Sequence, residues 1–580
     1  MRNKIKKTGV WCAGIALMMS ISFADTTKWT TKGLDINVQV NDDAPKVFFA
    51  VGMCYGMAPI GDAGNLGIPY QDFFFYNPGD PKSQWGYIPI WERDIGSTEK
   101  PGLLRKMGVN SVRLYSMFKH AYTDVNNKDQ YDKWSSLDWS TDKANPAEWW
   151  IHDGHEKFLD MCWNNGKDPI YVLIGVPFAE IPFGHPNNAV EAKLKDDAYH
   201  FFLKTAEWLA KKYGNHPAVM GFILGNEHDS EAGTVANIPG TPPENFYGPE
   251  YLIDIQGQPL QKVDDKNWKG MPGGNYWRTE YHDKLNAMAE VIKKNAPDKL
   301  VTSAWHDKQY FAAHWLAKAN DDAMSIELID EDVLSYSKLD FFSFNIYQYP
   351  QDALRDLKLR YIDYAKKTNR ENLIRPVMFT EMGIPASTRD GGGNVVELPD
   401  NAKAQSDLVT KMWQQGIENR TGGGTGPYPF LSGIYTFAYA DEWFKDGTPT
   451  VHNGREMAGD FFPGKHWDDE WFGLFRIEPN PKRLPGPKVT PNEAFKNQDD
   501  NTPLAERPVI SDYSGGNLNG GPDILTPRAV VSSLTELYKK TGVGNPIPGD
   551  APKSTAPTAP DTKVPVRGGH TPGIGDFLDN

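Results

Sequence analysis

The chain is poor in cysteine, with three in 580 residues at Cys12, Cys54 and Cys162. So few cysteines exclude a disulfide-built scaffold, although Cys54 and Cys162 leave room for one bridge. Beyond the N-terminus no segment of about 18 apolar residues occurs, so no later membrane span is expected. Positive charge is also short: 61 Lys and Arg stand against 75 Asp and Glu, for a net charge of −14. That balance disfavours nucleic acid and anionic membranes as partners. Two motifs are missing as well. No Gly-x-Gly-x-x-Gly turn follows the first strand pattern, and no Gly-x-Ser-x-Gly elbow supports a serine hydrolase.

Two features at the ends bound the folded part. Residues 1–7 are basic, Val10–Ile21 are apolar, and Ser22-Phe23-Ala24 closes the segment, which is the pattern of a secretory signal peptide cleaved after Ala24. The mature protein is therefore expected in the periplasm or outside the cell, and loss of four positive charges takes the net charge to −18. Residues 543–580 carry seven Pro with Ala, Thr, Gly and Asp and no apolar period, so they read as a disordered tail.

Residues 25–542 repeat one theme. Leu34, Ile36, Val38 and Val40 alternate with polar residues ahead of Asn41-Asp42-Asp43, which predicts an N-terminal β-hairpin. Eight short apolar runs then follow: Val47–Met53, Val109–Tyr115, Pro169–Gly175, Val219–Gly225, Leu300–Trp305, Asp340–Ile346, Pro376–Thr380 and Gly433–Tyr439. Amphipathic helical segments such as Asp197–Tyr213 separate them, and Thr526-Pro527 reads as the N-cap and first turn of a last helix. Alternating strands and helices give an α/β fold, and eight units are the number that closes a (β/α)8 TIM barrel. An open doubly wound sheet is the competing arrangement, disfavoured by the missing dinucleotide turn. The long connections at 54–96, 116–150, 228–275 and 440–525 follow strands, so they share the C-terminal face of such a barrel. They carry many rings, including Trp85, Trp134, Trp268, Trp443, Trp467 and Trp471. A face so lined suits an extended ligand, while packing among the loops accounts for part of it.

That face also collects the reactive groups. Strand two ends in Arg113-Leu114-Tyr115, strand four in Asn226-Glu227, strand six in Asn345-Ile346-Tyr347 and strand seven in Thr380-Glu381. A lone glutamate at a strand end is usually a solvated or ion-paired residue. Two carboxylates facing across a cleft are instead the minimum apparatus for glycoside hydrolysis.

Asn-Glu ending strand four and Thr-Glu-x-Gly ending strand seven resemble the clan of retaining glycoside hydrolases built on (β/α)8 barrels, over about residues 34–542. "VGMCYG" at 51–56, "LRKMGVNSVRLYS" at 104–116 and "YTFAYADEWFK" at 435–445 are similar to its glucan-modifying branches, including β-1,3-glucanosyltransferases, and to β-glucuronidase-like barrels. The resemblance implies Glu381 as nucleophile, Glu227 as general acid/base and a carboxyl separation of about 5–5.5 Å. It implies Arg113, Asn226 and Tyr347 around substrate and nucleophile, and an aromatic floor from strand eight at Tyr439 or Trp443. Trp305 and Tyr55 are further candidate sugar contacts. The implied partner is a polysaccharide or oligosaccharide, with no cofactor and no catalytic metal. A catalytically inactive glycan-binding barrel is the alternative. His152 with His155, and the cluster His466–Glu470, are possible metal ligands that read as surface capping and, at most, a structural Ca²⁺ site.

Overall fold

In the computed structural model of the chain, residues 25–57, 60, 88–115, 117, 154–178, 189–227, 274–306, 316–319, 326–329, 333–443, 445, 452–455, 457–478 and 522–544 are described. The expected signal peptide, the proline-rich tail beyond 544 and most of the long aromatic loops lie outside them.

Three short strands, β1 (Thr27–Lys32), β2 (Asp35–Val40) and β3 (Lys46–Phe48), form an antiparallel sheet in that order. The expected hairpin is β2–β3. The extra strand β1 is nearly all Thr and Lys and has one large apolar residue, Trp29, so period-two patterning says little about it. Trp29 packs edge-on against Phe48 and Tyr171 at 5.0 and 4.7 Å. Its backbone N–H donates to Asp298 O, and Thr27 Oγ1 donates to Pro217 O. Tyr171, Pro217 and Asp298 all lie at or before the starts of barrel strands, so this sheet covers the N-terminal mouth and leaves function to the opposite one.

The chain then forms β4 (Ala50–Cys54), β5 (Ser111–Arg113), β6 (Tyr171–Val176), β7 (Val219–Asn226) and β8 (Leu300–Trp305). After the hairpin of β9 (Leu316–Ala319) and β10 (Ile326–Ile329) come β11 (Phe342–Asn345) and β12 (Val377–Met382). A second hairpin of β13 (Ser387–Arg389) and β14 (Val395–Glu397) precedes β15 (Leu431–Thr436). The pair β16 (Phe475–Glu478) and β17 (Ile524–Pro527) follows.

Strands β4, β5, β6, β7, β8, β11, β12 and β15 close into one parallel barrel, with β15 back on β4 through Gly433↔Ala50. The expected α/β TIM barrel is therefore the fold. Every expected run supplies a barrel strand. The first run is divided, because Phe49 separates β3 of the covering sheet from β4 of the barrel.

Helices fill the crossovers because each presents one apolar stripe. In Ala189–Tyr213 the buried residues include Phe201, Phe202, Ala206 and Leu209, and Lys211 and Lys212 lie in the last turn. The expected helix at 352–367 runs as Pro350–Leu357, a π-turn Lys358–Asp363, and Tyr364–Lys367. The last helix begins later than expected, at Ala529, with Arg528 as N-cap. Thr526 and Pro527 stay extended in β17, held by the fully buried Arg528, which donates to both oxygens of Asp441 at 2.7 Å. Among the described residues no helix is long and apolar enough to cross a membrane. Cys54 and Cys162 are separate buried free thiols, so the bridge the sequence permitted is not formed.

Candidate active site

Four strand ends meet at the C-terminal mouth. Side chains two apart on a strand share a face, so Arg113 with Tyr115 and Asn345 with Tyr347 arrive as pairs beside Asn226, Glu227 and Glu381. Glu381 is 4% exposed and takes three charge-assisted bonds. Arg113 Nη1 donates to Oε1 at 2.9 Å, Tyr115 OH to Oε1 at 2.7 Å, and Tyr347 OH to Oε2 at 2.6 Å. Burial, followed by neighbouring negative groups that include Glu381, pushes both phenols well above their usual range, so they remain donors. Burial opposes the charge on Arg113, but neighbouring acidic groups, Glu381 among them, outweigh it and hold the guanidinium protonated. Three donors thus converge on the two oxygens of Glu381.

Glu227 is placed differently. Its side chain is 26% exposed, and Nε2 of His306 stands 4.0 Å from Oε2. Asn345 Nδ2 donates to its Oε1 at 2.8 Å. Gly225 and Glu227 both have positive φ, 61° and 62°. For a glutamate this left-handed backbone costs of order 1 kcal/mol, and such costs tend to persist where a side chain must be aimed. The register shift between Leu224 and Asn226 against β8 lies at the same point. Asn226 Oδ1 accepts from Arg113 Nη2 at 2.6 Å and from Asn345 Nδ2 at 2.9 Å. Its amide is thereby oriented with Nδ2 as the group left to donate to a ligand.

The structure thus gathers Arg113, Asn226, Glu227, Tyr347 and Glu381, and it moves four other expected contacts elsewhere. Tyr55 and Tyr439 are 1% exposed and both donate to the buried Asp94, at 3.0 and 2.8 Å. Arg93 closes that cluster at 2.6 Å, so the two phenols are structural ties. Trp305 belongs to the core, stacked on Phe342 with centroids 5.3 Å apart. Trp443 stacks on His452, which stacks on Trp471 at 3.6 Å. Trp443, His452 and Trp471 line a cavity of about 720 Å³, shared with Arg476 and Glu397, that none of the carboxylate-pair residues enters.

The strand-eight ring that packs against the two phenols holding Glu381 is instead Phe437, two residues before Tyr439. It lies edge-on to Tyr115 and Tyr347 with centroids 6.4 and 6.3 Å away, and Lys445 Nζ is 4.1 Å from its ring. Lys445 pairs with the buried Glu442 at 3.0 Å. Tyr115 and Asn345 were legible as strand partners of Arg113 and Tyr347. Phe437 carried no such signal, because alternation alone does not say which of two rings two residues apart faces the mouth.

Neither metal possibility gains support. Asp468 accepts from Arg389 at 2.7 and 2.8 Å, and Asp469 from Trp467 Nε1 at 2.6 Å and Arg455 at 2.8 Å. His155 is buried with its Nδ1 2.8 Å from Tyr213 OH, and His152 lies outside the described residues. Among the described residues no group of three or more potential ligands gathers.

No protein-family model matches the chain, and no curated protein matches it. Solved structures similar to it include a GH2 β-galacturonidase from Eisenbergiella tayi bound to galacturonate, at 12% identity and TM-score 0.36, covering 89% of this chain and 54% of that one. A β-D-glucuronidase from Dictyoglomus thermophilum matches at 12% identity and TM-score 0.37, covering 89% and 54%. The Lactobacillus rhamnosus β-glucuronidase gives 12% and 0.36, covering 89% and 52%. This chain therefore spans about half the length of the structures it is similar to.

Proposed function

We propose that the protein is a retaining glycoside hydrolase or transglycosylase acting on a β-linked polysaccharide, with β-glucan the first substrate class to test. The observation that carries this is the contrast between two carboxylates at one barrel mouth. Glu381 is buried and bonded by a guanidinium and two phenols, whereas Glu227 is partly exposed and bonded by a neutral amide. A nucleophile needs the first setting and a proton-exchanging group the second.

In the first step a Glu381 oxygen bonds to the anomeric carbon while the bond to the leaving oxygen breaks and takes the proton of Glu227. Oε1 has two donors and Oε2 one, so Oε2 keeps more of its lone-pair capacity for the anomeric carbon. In the second step ionised Glu227 removes a proton from water or a sugar hydroxyl, whose oxygen displaces Glu381 from the sugar. Water gives hydrolysis and a sugar gives transfer. Asn226 Nδ2 suits the sugar 2-hydroxyl, a bond that strengthens in the transition state. No cofactor is needed. Export is part of the proposal and rests on the basic and apolar pattern ending at Ala24. Sequencing of the mature N-terminus should read from Asp25.

The test is turnover of aryl β-glycosides and a panel of β-glucans, mannans, galactans and xylan, with the product anomer followed by proton NMR. Retention in the wild type and near-complete loss in Glu381→Gln support the reading. Glycan binding without turnover would favour an inactive binding barrel instead, and unchanged turnover in Glu381→Gln would refute the assignment.

A further inference from the structure

Asn345 is 1% exposed and uses its whole amide. Oδ1 accepts from Arg113 Nη1 at 3.1 Å and Thr380 Oγ1 at 3.0 Å, while Nδ2 donates to Asn226 Oδ1 at 2.9 Å and Glu227 Oε1 at 2.8 Å. Its orientation is forced, because turning the amide over would set Nδ2 against the guanidinium and Oδ1 against two oxygens. The nitrogen Nη1 that bonds Asn345 also bonds Glu381 Oε1. One unbroken chain therefore runs Glu227 Oε1, Asn345 Nδ2 and Oδ1, Arg113 Nη1, Glu381 Oε1.

We propose that Asn345 is a positioning residue that sets the proton affinity of Glu227 and couples it to the charge on Glu381. The inference rests on the reading of Glu227 as acid/base. An N–H donor favours the ionised carboxylate, so Asn345 restrains Glu227 from holding its proton too tightly. When Glu381 is esterified to sugar its negative charge disappears. Arg113 Nη1 then loses its charged acceptor and polarises Asn345 Oδ1 more strongly, which makes Nδ2 a better donor, since bonds in a chain reinforce one another. Glu227 is thereby pushed toward the ionised form at the step where it must act as a base. Among the described residues the titratable groups that interact with Glu227 include His306 after β8, Arg113 on β5 and Tyr347 after β11, and all of them stay in the variants below.

Two substitutions separate this role from simple packing. Asn345→Ala removes the donor. Asn345→Asp keeps the size and the acceptor for Arg113 and Thr380 but turns the donor into a second carboxylate facing Glu227. The titration of Glu227 is read by carboxyl infrared difference spectra or ¹³C-glutamate NMR, assigned with Glu227→Gln, and requires no activity. Its midpoint should rise by about 0.5–1 unit in Asn345→Ala and further in Asn345→Asp, the size expected for loss of one partly hydrated bond to a charge. In kinetics the basic limb of kcat/KM should move up by the same amounts. kcat should fall more than kcat/KM, with a burst as the glycosyl-enzyme accumulates. A packing role alone would make the isosteric Asp variant the milder one and leave the Glu227 midpoint in place, which would overturn the proposal while the hydrolase reading stood. A shifted midpoint in a protein that turns over no glycoside would sustain the hold of Asn345 on the proton of Glu227 but overturn both the hydrolase reading and the coupling to an esterified Glu381.

Discussion

Tyr115 and Tyr347 donate to opposite oxygens of Glu381, at 2.7 Å to Oε1 and 2.6 Å to Oε2. Their removal should differ in effect. Oε1 keeps Arg113 after Tyr115→Phe, whereas Oε2 loses its phenol in Tyr347→Phe. A bond to a charged group is worth about 1.5–3 kcal/mol, so kcat should fall roughly 10- to 100-fold in Tyr347→Phe and by less in Tyr115→Phe. Steady-state kinetics on an aryl β-glycoside, with melting temperatures as a folding control, decide it. Equal losses would mean that both phenols act only through packing.

Arg113 and Glu381 form a buried ion pair, with side chains 1% and 5% exposed. Removing one partner of such a pair is expected to cost about 3–5 kcal/mol, because the other charge stays buried without compensation. Arg113→Met should therefore lower the urea midpoint clearly. Adding Glu381→Gln to it should recover part of the loss, since a neutral amide needs no cation. A double variant less stable than Arg113→Met alone would contradict the charge argument.

Glu442 supplies a pH signature. Burial pushes its carboxyl up to about 7, against the pull of Lys445, which lowers it. The folded value lies above the unfolded one, so the native state holds the extra proton between pH 4.5 and 7. This stabilisation is complete below the unfolded value and fades as pH rises through 7. Chemical unfolding at pH 5 and pH 8 should differ by roughly 2–3 kcal/mol from this group. Glu442→Gln should flatten that difference, and a slope unchanged in the variant would assign it to other groups.

Burial pushes both thiols, Cys54 and Cys162, well above the usual range, and neither is bridged. A thiol in this setting is inert. Native protein should leave both unlabelled by iodoacetamide at pH 8, and both should react in denaturant without a reductant. Labelling that appears only after reduction would indicate a disulfide.

The barrel was legible because each of its strands is a short apolar run between turn signals, a pattern that survives without knowledge of the loops. The carboxylates were legible because a polar residue at the end of such a run has one face to emerge on. What failed was the assignment of aromatics. Tyr55, Tyr439 and Trp305 sit at strand ends as Tyr347 does, yet Asp94 captures the two phenols and Phe342 the indole. Those captors lie tens to hundreds of positions away in the chain, and no local period reports them. Thr526-Pro527 shows the same limit: its pattern suits a helix start, but the distant ion pair of Arg528 with Asp441 fixes the backbone as strand.

Gly175 tests how tightly the mouth is set. A Cβ there would meet the backbone carbonyl of Tyr115 on the neighbouring strand, with Leu114 O also in contact. Backbone cannot swing aside like a side-chain tip, so Gly175→Ala should cost about 1–3 kcal/mol through overpacking. The displaced segment carries Tyr115 OH away from Glu381, so kcat should fall along with stability. Gly391→Ala is the control, because nothing lies within 4 Å of its added carbon, and it should stay within about 0.5 kcal/mol of wild type. If Gly175→Ala lost stability but kept full kcat, the phenol would tolerate the movement, and Tyr115→Phe should then be silent as well.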